Sequence, residues 1–329
     1  MKTPLCRLLG IEVPIVLAAM GGFDTAPLAA AVANAGGLGM MAVSGMDEAS
    51  LRAQIGRARA LTDRPFAVNL NVSRPQAKRL AVCLDEGIRV VSFFWGDPGE
   101  LVDQAHAAGA VVLHSVGAAA DASRSVELGV DVIVAQGWEA GGHVRGDVAT
   151  LPLVPTVVDA VSPTPVIAAG GSADGRGLAA VLALGAQAAW IGTRFLASDE
   201  AAIHPRYREL ILAAEETGTV HTPLFDVGWP DAPHRVLRNK TVEAWEAAGR
   251  PPSGERPGEG AVVARSARLP EIVNYRSLTP TPDTEGDIDA LSLWAGQGVG
   301  LVKRRQPAGD IVREIVAEAE RTLAALAPR

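Results

Sequence analysis

The stretch Pro165-Val166-Ile167-Ala168-Ala169-Gly170-Gly171-Ser172-Ala173-Asp174-Gly175 decides the fold. A short uncharged run ends in two glycines, and a serine and an aspartate then lead into an Ala- and Leu-rich segment. Continuous apolar runs of this length suit parallel strands buried on both faces. A helix start is expected just beyond the glycines. The unit therefore reads strand, tight turn, helix. Working outward, similar runs stand at 14–19, 39–43, 66–70, 90–94, 110–114, 131–135 and 188–192. With 165–169 they make eight, spaced by roughly one strand plus one helix. Between them lie amphipathic, Ala-rich stretches at 27–35, 47–61, 75–86, 98–108, 118–128 and 175–184. Several of these end in a glycine that stops a helix without steric cost, as at Gly36, Gly109, Gly129 and Gly185.

Eight such units predict an α/β fold of the (β/α)8 TIM barrel type. A doubly wound sheet is the rival, and it lacks its glycine fingerprint: the first run leads into Ala19-Met20-Gly21-Gly22-Phe23. Beyond residue 203 the pattern changes. Residues 204–290 are expected to form an appended helical lid or substrate subdomain, with helices near 204–218 and 236–248. Residues 1–203 and 291–329 are expected to form the barrel, with a C-terminal helix at 308–325 packed back on it.

Composition excludes several classes. Of 329 residues, 48% are hydrophobic and 20% charged, which fits a globular chain rather than a disordered one. The formal charge of −7 and the absence of a dense basic patch exclude nucleic acid or an anionic membrane as main partner. Two cysteines, Cys6 and Cys83, make no disulfide framework, and a reducing cytoplasm is the expected location. The longest uncharged stretch carries Asn34 and several glycines and prolines, so no membrane span is expected. No His, Asp or Glu grouping has metal-ligand spacing, so no metal is expected.

Chemistry in a barrel sits at the strand C-termini. After the seventh run come Gly170 and Gly171, and after the eighth come Gly192 and Thr193. Glycine amides beside a helix start form an anion cradle, and these two loops are where barrels commonly hold phosphate. After the sixth run comes Gln136-Gly137-Trp138-Glu139-Ala140-Gly141-Gly142-His143. His143, freed by two glycines, can point over the mouth as acid or base. Gln136 can bond a planar heterocycle, and Glu139 is expected to pair or cap within the loop. Asn69 ends the third run. His114 reads as a buried core histidine, and Gly296-Gln297-Gly298-Val299-Gly300 as a close-packed turn near the mouth. From these residues alone the phosphorylated ligand is FMN, pyridoxal phosphate or a phosphosugar. No lysine at a strand end disfavours the second: the lysines are Lys2, Lys78, Lys240 and Lys303.

The stretch from Ala135 to His143 resembles the signature of the nitronate monooxygenase family, formerly called 2-nitropropane dioxygenases. So do Pro165 to Gly177, Ile191-Gly192-Thr193-Arg194-Phe195-Leu196, Ala33 to Gly39, Arg235-Val236-Leu237-Arg238-Asn239 and Trp294-Ala295-Gly296-Gln297. The resemblance implies an FMN-dependent flavoprotein oxidoreductase on a barrel with a lid. Gly170, Gly171, Gly192 and Thr193 would hold the FMN phosphate. Met20, Asn69, Gln136, Gly137, Gly141 and Gly142 would contact the rest of the cofactor. His143 would be the catalytic base or the electrostatic partner of a nitronate. The implied reaction is oxidation of alkyl nitronates or nitroalkanes by O2 to a carbonyl compound and nitrite, with a small-molecule substrate and a homodimer as the expected assembly. One departure is Ala18-Ala19-Met20, where the family often carries a proline before the methionine. FMN-dependent NAD(P)H:quinone or enoyl-thioester reductases are the alternative, and a non-catalytic flavin-binding or pathway partner protein is an alternative of another class.

Overall fold

The computed structural model describes residues 1–326. Eight parallel strands form one sheet: Ile15–Leu17, Gly39–Ala42, Phe66–Asn71, Val90–Phe94, Val111–Val116, Val132–Gln136, Val166–Ala169 and Ala188–Ile191. The first strand pairs with the eighth, and the others pair in sequence order. The sheet closes on itself, because Val16 bridges Leu38 in parallel. The Leu17 amide donates to the Leu38 carbonyl, and the Leu38 amide to the Ile15 carbonyl, each at 2.9 Å. The fold is a (β/α)8 barrel, with strand positions within a residue or two of those read from the apolar runs. The strand residues are nearly all buried, which is why they read as unbroken apolar runs.

Helices Ala26–Asn34, Glu48–Leu61, Ala77–Asp85, Leu101–Ala107, Ala119–Glu127, Thr150–Val161 and Gly175–Ala183 follow the first seven strands. Thr150–Val161 is absent from the helices read off the sequence. Pro152 and Pro155 mask it; Pro152 sits in the first turn, where no intrahelical amide is lost, and Pro155 lies inside the helix. The eighth strand leads only to the four-residue helix Thr193–Leu196. The outer place beside it is filled by the C-terminal helix Ala308–Leu326, which packs on Gly175–Ala183 and Ala26–Asn34. Gly175 permits this closeness: a Cβ there would lie 2.4 Å from the Ala319 amide nitrogen and 2.5 Å from the Ile315 carbonyl oxygen.

The appended segment holds two of the expected helices, Pro205–Ala213 and Lys240–Ala247. It also holds strands that the sequence did not announce. Thr219–Thr222 and His234–Leu237 form a hairpin, and Gly142–His143 from the sixth βα loop joins it as a third strand. Val262–Arg265 pairs with Ile272–Val273 and Glu285–Gly286 in a second small sheet. The segment is therefore mixed, and its hairpin is stitched directly to the loop that carries His143. No described helix is long and apolar enough to cross a membrane.

Candidate active site

A cavity of about 810 Å³ opens at the C-terminal ends of the barrel strands. Its floor is made by the ends of the third, sixth, seventh and eighth strands, and its roof by the appended segment. Met20, Asn69, Gln136, Gly141, Gly142, His143, Gly170, Gly171, Gly192 and Thr193 all line it. Gly137 does not. It is a packing glycine: a Cβ there would fall 2.0 Å from the Thr150 hydroxyl and 2.6 Å from the Thr150 amide nitrogen. Its expected cofactor contact is thus replaced by close packing of the loop on the helix Thr150–Val161.

Gly170 and Gly171 adopt φ of +108° and +74°, a turn open to glycine with little strain. Among the described residues, no acceptor meets the amides of Gly171 and Ser172. The Thr193 hydroxyl oxygen accepts from the Gly296 amide at 3.0 Å, tying the eighth loop to the Gly296 turn. That turn leads into the 3-10 helix Gln297–Leu301 and is close-packed: a Cβ on Gly298 would lie 2.7 Å from the Gly171 carbonyl oxygen. Glu139 caps rather than reacts. Its Oε2 accepts from the amide and hydroxyl of Thr150, at 2.8 and 2.9 Å, where the next helix begins.

The loop bearing His143 is fixed from three sides. Gln136 Nε2 donates to the His143 carbonyl at 2.9 Å. His143 pairs with His234 across the short sheet. The buried Arg235 donates to the Trp138 carbonyl at 2.9 Å, with its guanidinium 5.4 Å from the Trp138 ring centre. His234 is locked neutral: its Nε2 accepts from the Phe225 amide at 3.2 Å, and its Nδ1 lies 2.9 Å from the Ala232 carbonyl to which it donates. Asn69 is buried and donates to Ser92 Oγ at 3.1 Å. His114 lies buried in the wall, with its ring nitrogens on Ser125 Oγ and the Gly96 carbonyl.

His143 stands in an aromatic box. Its ring centroid is 3.9 Å from Trp229, 5.2 Å from Trp294, 5.4 Å from His234 and 5.9 Å from Trp95. Its Nε2 is buried and has no hydrogen-bond partner among the described residues. Burial, aided by the proximity of His234, pushes its pKa down to about 3. It is therefore a neutral imidazole at pH 7 and not a standing cation. Trp95 and Trp229 were missed from the sequence because each stands in a different segment. Trp95 follows the fourth strand with φ +60°, and Trp229 lies in a turn of the appended segment.

A closed parallel barrel, open glycine-loop amides at its seventh loop and a desolvated imidazole at the same mouth are the features of a barrel enzyme with its site at the strand C-termini. The chain belongs to the nitronate monooxygenase family: the model of that family matches residues 2–79 and 71–318. It is 44% identical over 253 residues to a Mycobacterium tuberculosis protein named (3aS,4S,5R,7aS)-5-hydroxy-7a-methyl-1-oxo-octahydro-1H-indene-4-carboxyl-CoA dehydrogenase, covering 76% of this chain and 70% of that one. It is 32% identical to a nitronate monooxygenase of Paraburkholderia phytofirmans, over 98% and 96% of the two chains. The structure of FabK from Thermotoga maritima superposes with a TM-score of 0.84 at 35% identity, covering 99% and 98%. The protein is an oxidoreductase. The family implies a flavin cofactor, and the residues present fit one: the open amides of Gly171 and Ser172 suit its anionic end, and Asn69, Gln136 and Met20 line the space beyond.

Proposed function

We propose that this protein is an FMN-dependent oxidase of carbon acids, converting nitroalkanes or their nitronates with O2 to a carbonyl compound and nitrite. The observation that carries the reading is the unpartnered Nε2 of neutral His143 at the cavity. An unprotonated imidazole with a free ring nitrogen can accept the proton, and the nitronate anion formed beside it would offset the cost that burial sets on the imidazolium. The acidic C–H of a nitroalkane is the matching substrate group. The amides of Gly171 and Ser172, with Thr193, would hold the FMN phosphate at the seventh and eighth loops. Asn69, Gln136 and Met20 would orient the ring system, and Trp229 and Trp294 would keep water from the reacting carbon. FMN bound there supplies the electron acceptor and the route to O2. His143, on this reading, acts as base and not as cationic partner of the nitro group.

A second reading is an FMN-dependent oxidoreductase of an acyl thioester. It is favoured by three arginines at the cavity mouth, Arg74, Arg268 and Arg276, and by the name of the Mycobacterium tuberculosis relative. Both readings are tested on FMN-loaded protein. Nitrite formation and O2 uptake with nitroethane and ethyl nitronate support the first. Rapid anaerobic bleaching of the flavin band by NADH or NADPH, with no nitrite from either nitro compound, supports the second. Failure of the protein to take up FMN overturns both.

A further inference from the structure

Three arginines line the cavity, two of them meeting at Gly228 and the third beside Gly45. Arg74 follows the third strand, and Arg268 and Arg276 come from the appended segment. The third and seventh strands stand four places apart around an eight-stranded barrel, so Arg74 lies across the mouth from Gly170 and Gly171, and Arg276 joins it at Gly228. Arg74 Nη2 donates to the Gly228 carbonyl at 2.8 Å. The Arg276 guanidinium packs on the same residue, 3.4 Å from where a Gly228 Cβ would stand. Arg268 reaches over Gly45, 3.8 Å from the corresponding point. Among the described residues, none of the three makes an ion pair. The two carboxylates at this cavity are already engaged: Asp24 with Arg57, and Asp283 with the Thr281 hydroxyl and the Ala267 amide. The like charges of Arg74 and Arg276 on Gly228 repel each other, and an anion joining them would relieve that repulsion. Hydroxyls of Ser44, Ser266 and Thr281 line the same rim.

We propose that Arg74, Arg268 and Arg276 form a second anion site that holds the phosphates of a coenzyme A thioester while its acyl end reaches His143. Guanidinium forks match phosphate oxygens in pairs, which ammonium groups do not. The Gly228–Trp229 peptide links the two ends of the site: Gly228 carries Arg74 and Arg276, and Trp229 packs on His143. The inference deepens the thioester reading and rests on it. It assigns the tail-binding residues, and no relative's name assigns those.

The test uses FMN-loaded protein and coenzyme A itself, with binding followed by calorimetry and flavin content followed by visible absorbance. Saturable binding is expected that weakens steeply with salt, is displaced by pyrophosphate and is not displaced by pantethine, which lacks phosphate. Arg268→Glu, at an exposed side chain, should weaken binding by about tenfold or more with the flavin retained. Arg74→Gln with Arg276→Gln should do the same. Absence of binding, binding unchanged in these variants, or equal competition by pantethine overturns the site. Loss of the flavin in the wild-type protein would instead strike at the cofactor reading, so the two failures are distinguishable.

Discussion

Acid should destabilise this protein above the pH range in which its carboxylates titrate. Burial holds His114 and His234 down to about 4 and His143 to about 3. An unfolded histidine titrates near 6.5, so below that pH the unfolded chain binds protons that the folded chain refuses. The stability is present above pH 6.5 and drains away as pH falls toward 4. Between pH 7 and 5 each of the three loses about 2 kcal/mol, and unfolded carboxylates contribute little in that window. The three together should lose about 6 kcal/mol, and His204 and His221, also lowered by burial, act in the same direction. Urea unfolding followed by circular dichroism at pH 7, 6 and 5 measures it. His234→Gln keeps a donor for the Ala232 carbonyl and an acceptor for the Phe225 amide, but cannot take the proton. It should lessen the acid loss by about 2 kcal/mol. A flat wild-type profile, or a His234→Gln profile parallel to it, would refute the reasoning.

Other outcomes follow from the same geometry. Gly170→Ala forces φ +108° on a residue with a Cβ and sets that atom 3.0 Å from the Thr150 hydroxyl. Flavin content after reconstitution should fall, and stability should drop by about 1–3 kcal/mol in urea melts. Glu139→Gln removes the charged cap of the helix Thr150–Val161, costing about 1 kcal/mol in the same melts. Trp229→Ala opens the box and rehydrates His143, so its pKa should rise from about 3 toward 6.5. The acid limb of kcat/KM should move to higher pH in that variant, and an unmoved limb would mean that Trp229 does not desolvate the base.

Much of the barrel was legible because its strands are buried on both faces, which leaves unbroken apolar runs such as Val132–Gln136. Glycine pairs marked the loop turns for the same local reason. The short strand Gly142–His143 was not legible, since its partner His234–Leu237 lies some 90 residues away and supplies the pairing. Cavity-lining positions of Met20, Asn69, Gln136 and the loop glycines came through from the strand ends. Gly137 was misplaced because sequence spacing does not tell a glycine facing a ligand from one facing a helix. The aromatic box and the arginine cluster arise from segments that meet only in the fold. Their residues, Trp95, Trp229, Arg74 and Arg276, share no spacing that a periodic pattern would expose.

The most direct test of the central claim sets nitroethane against preformed ethyl nitronate on FMN-loaded wild type and His143→Asn. If neutral His143 is the base, the variant should keep its flavin, lose turnover of nitroethane and retain much of its turnover of the nitronate, which no longer needs the proton removed. Equal loss on both substrates, or full activity on nitroethane, would contradict the account.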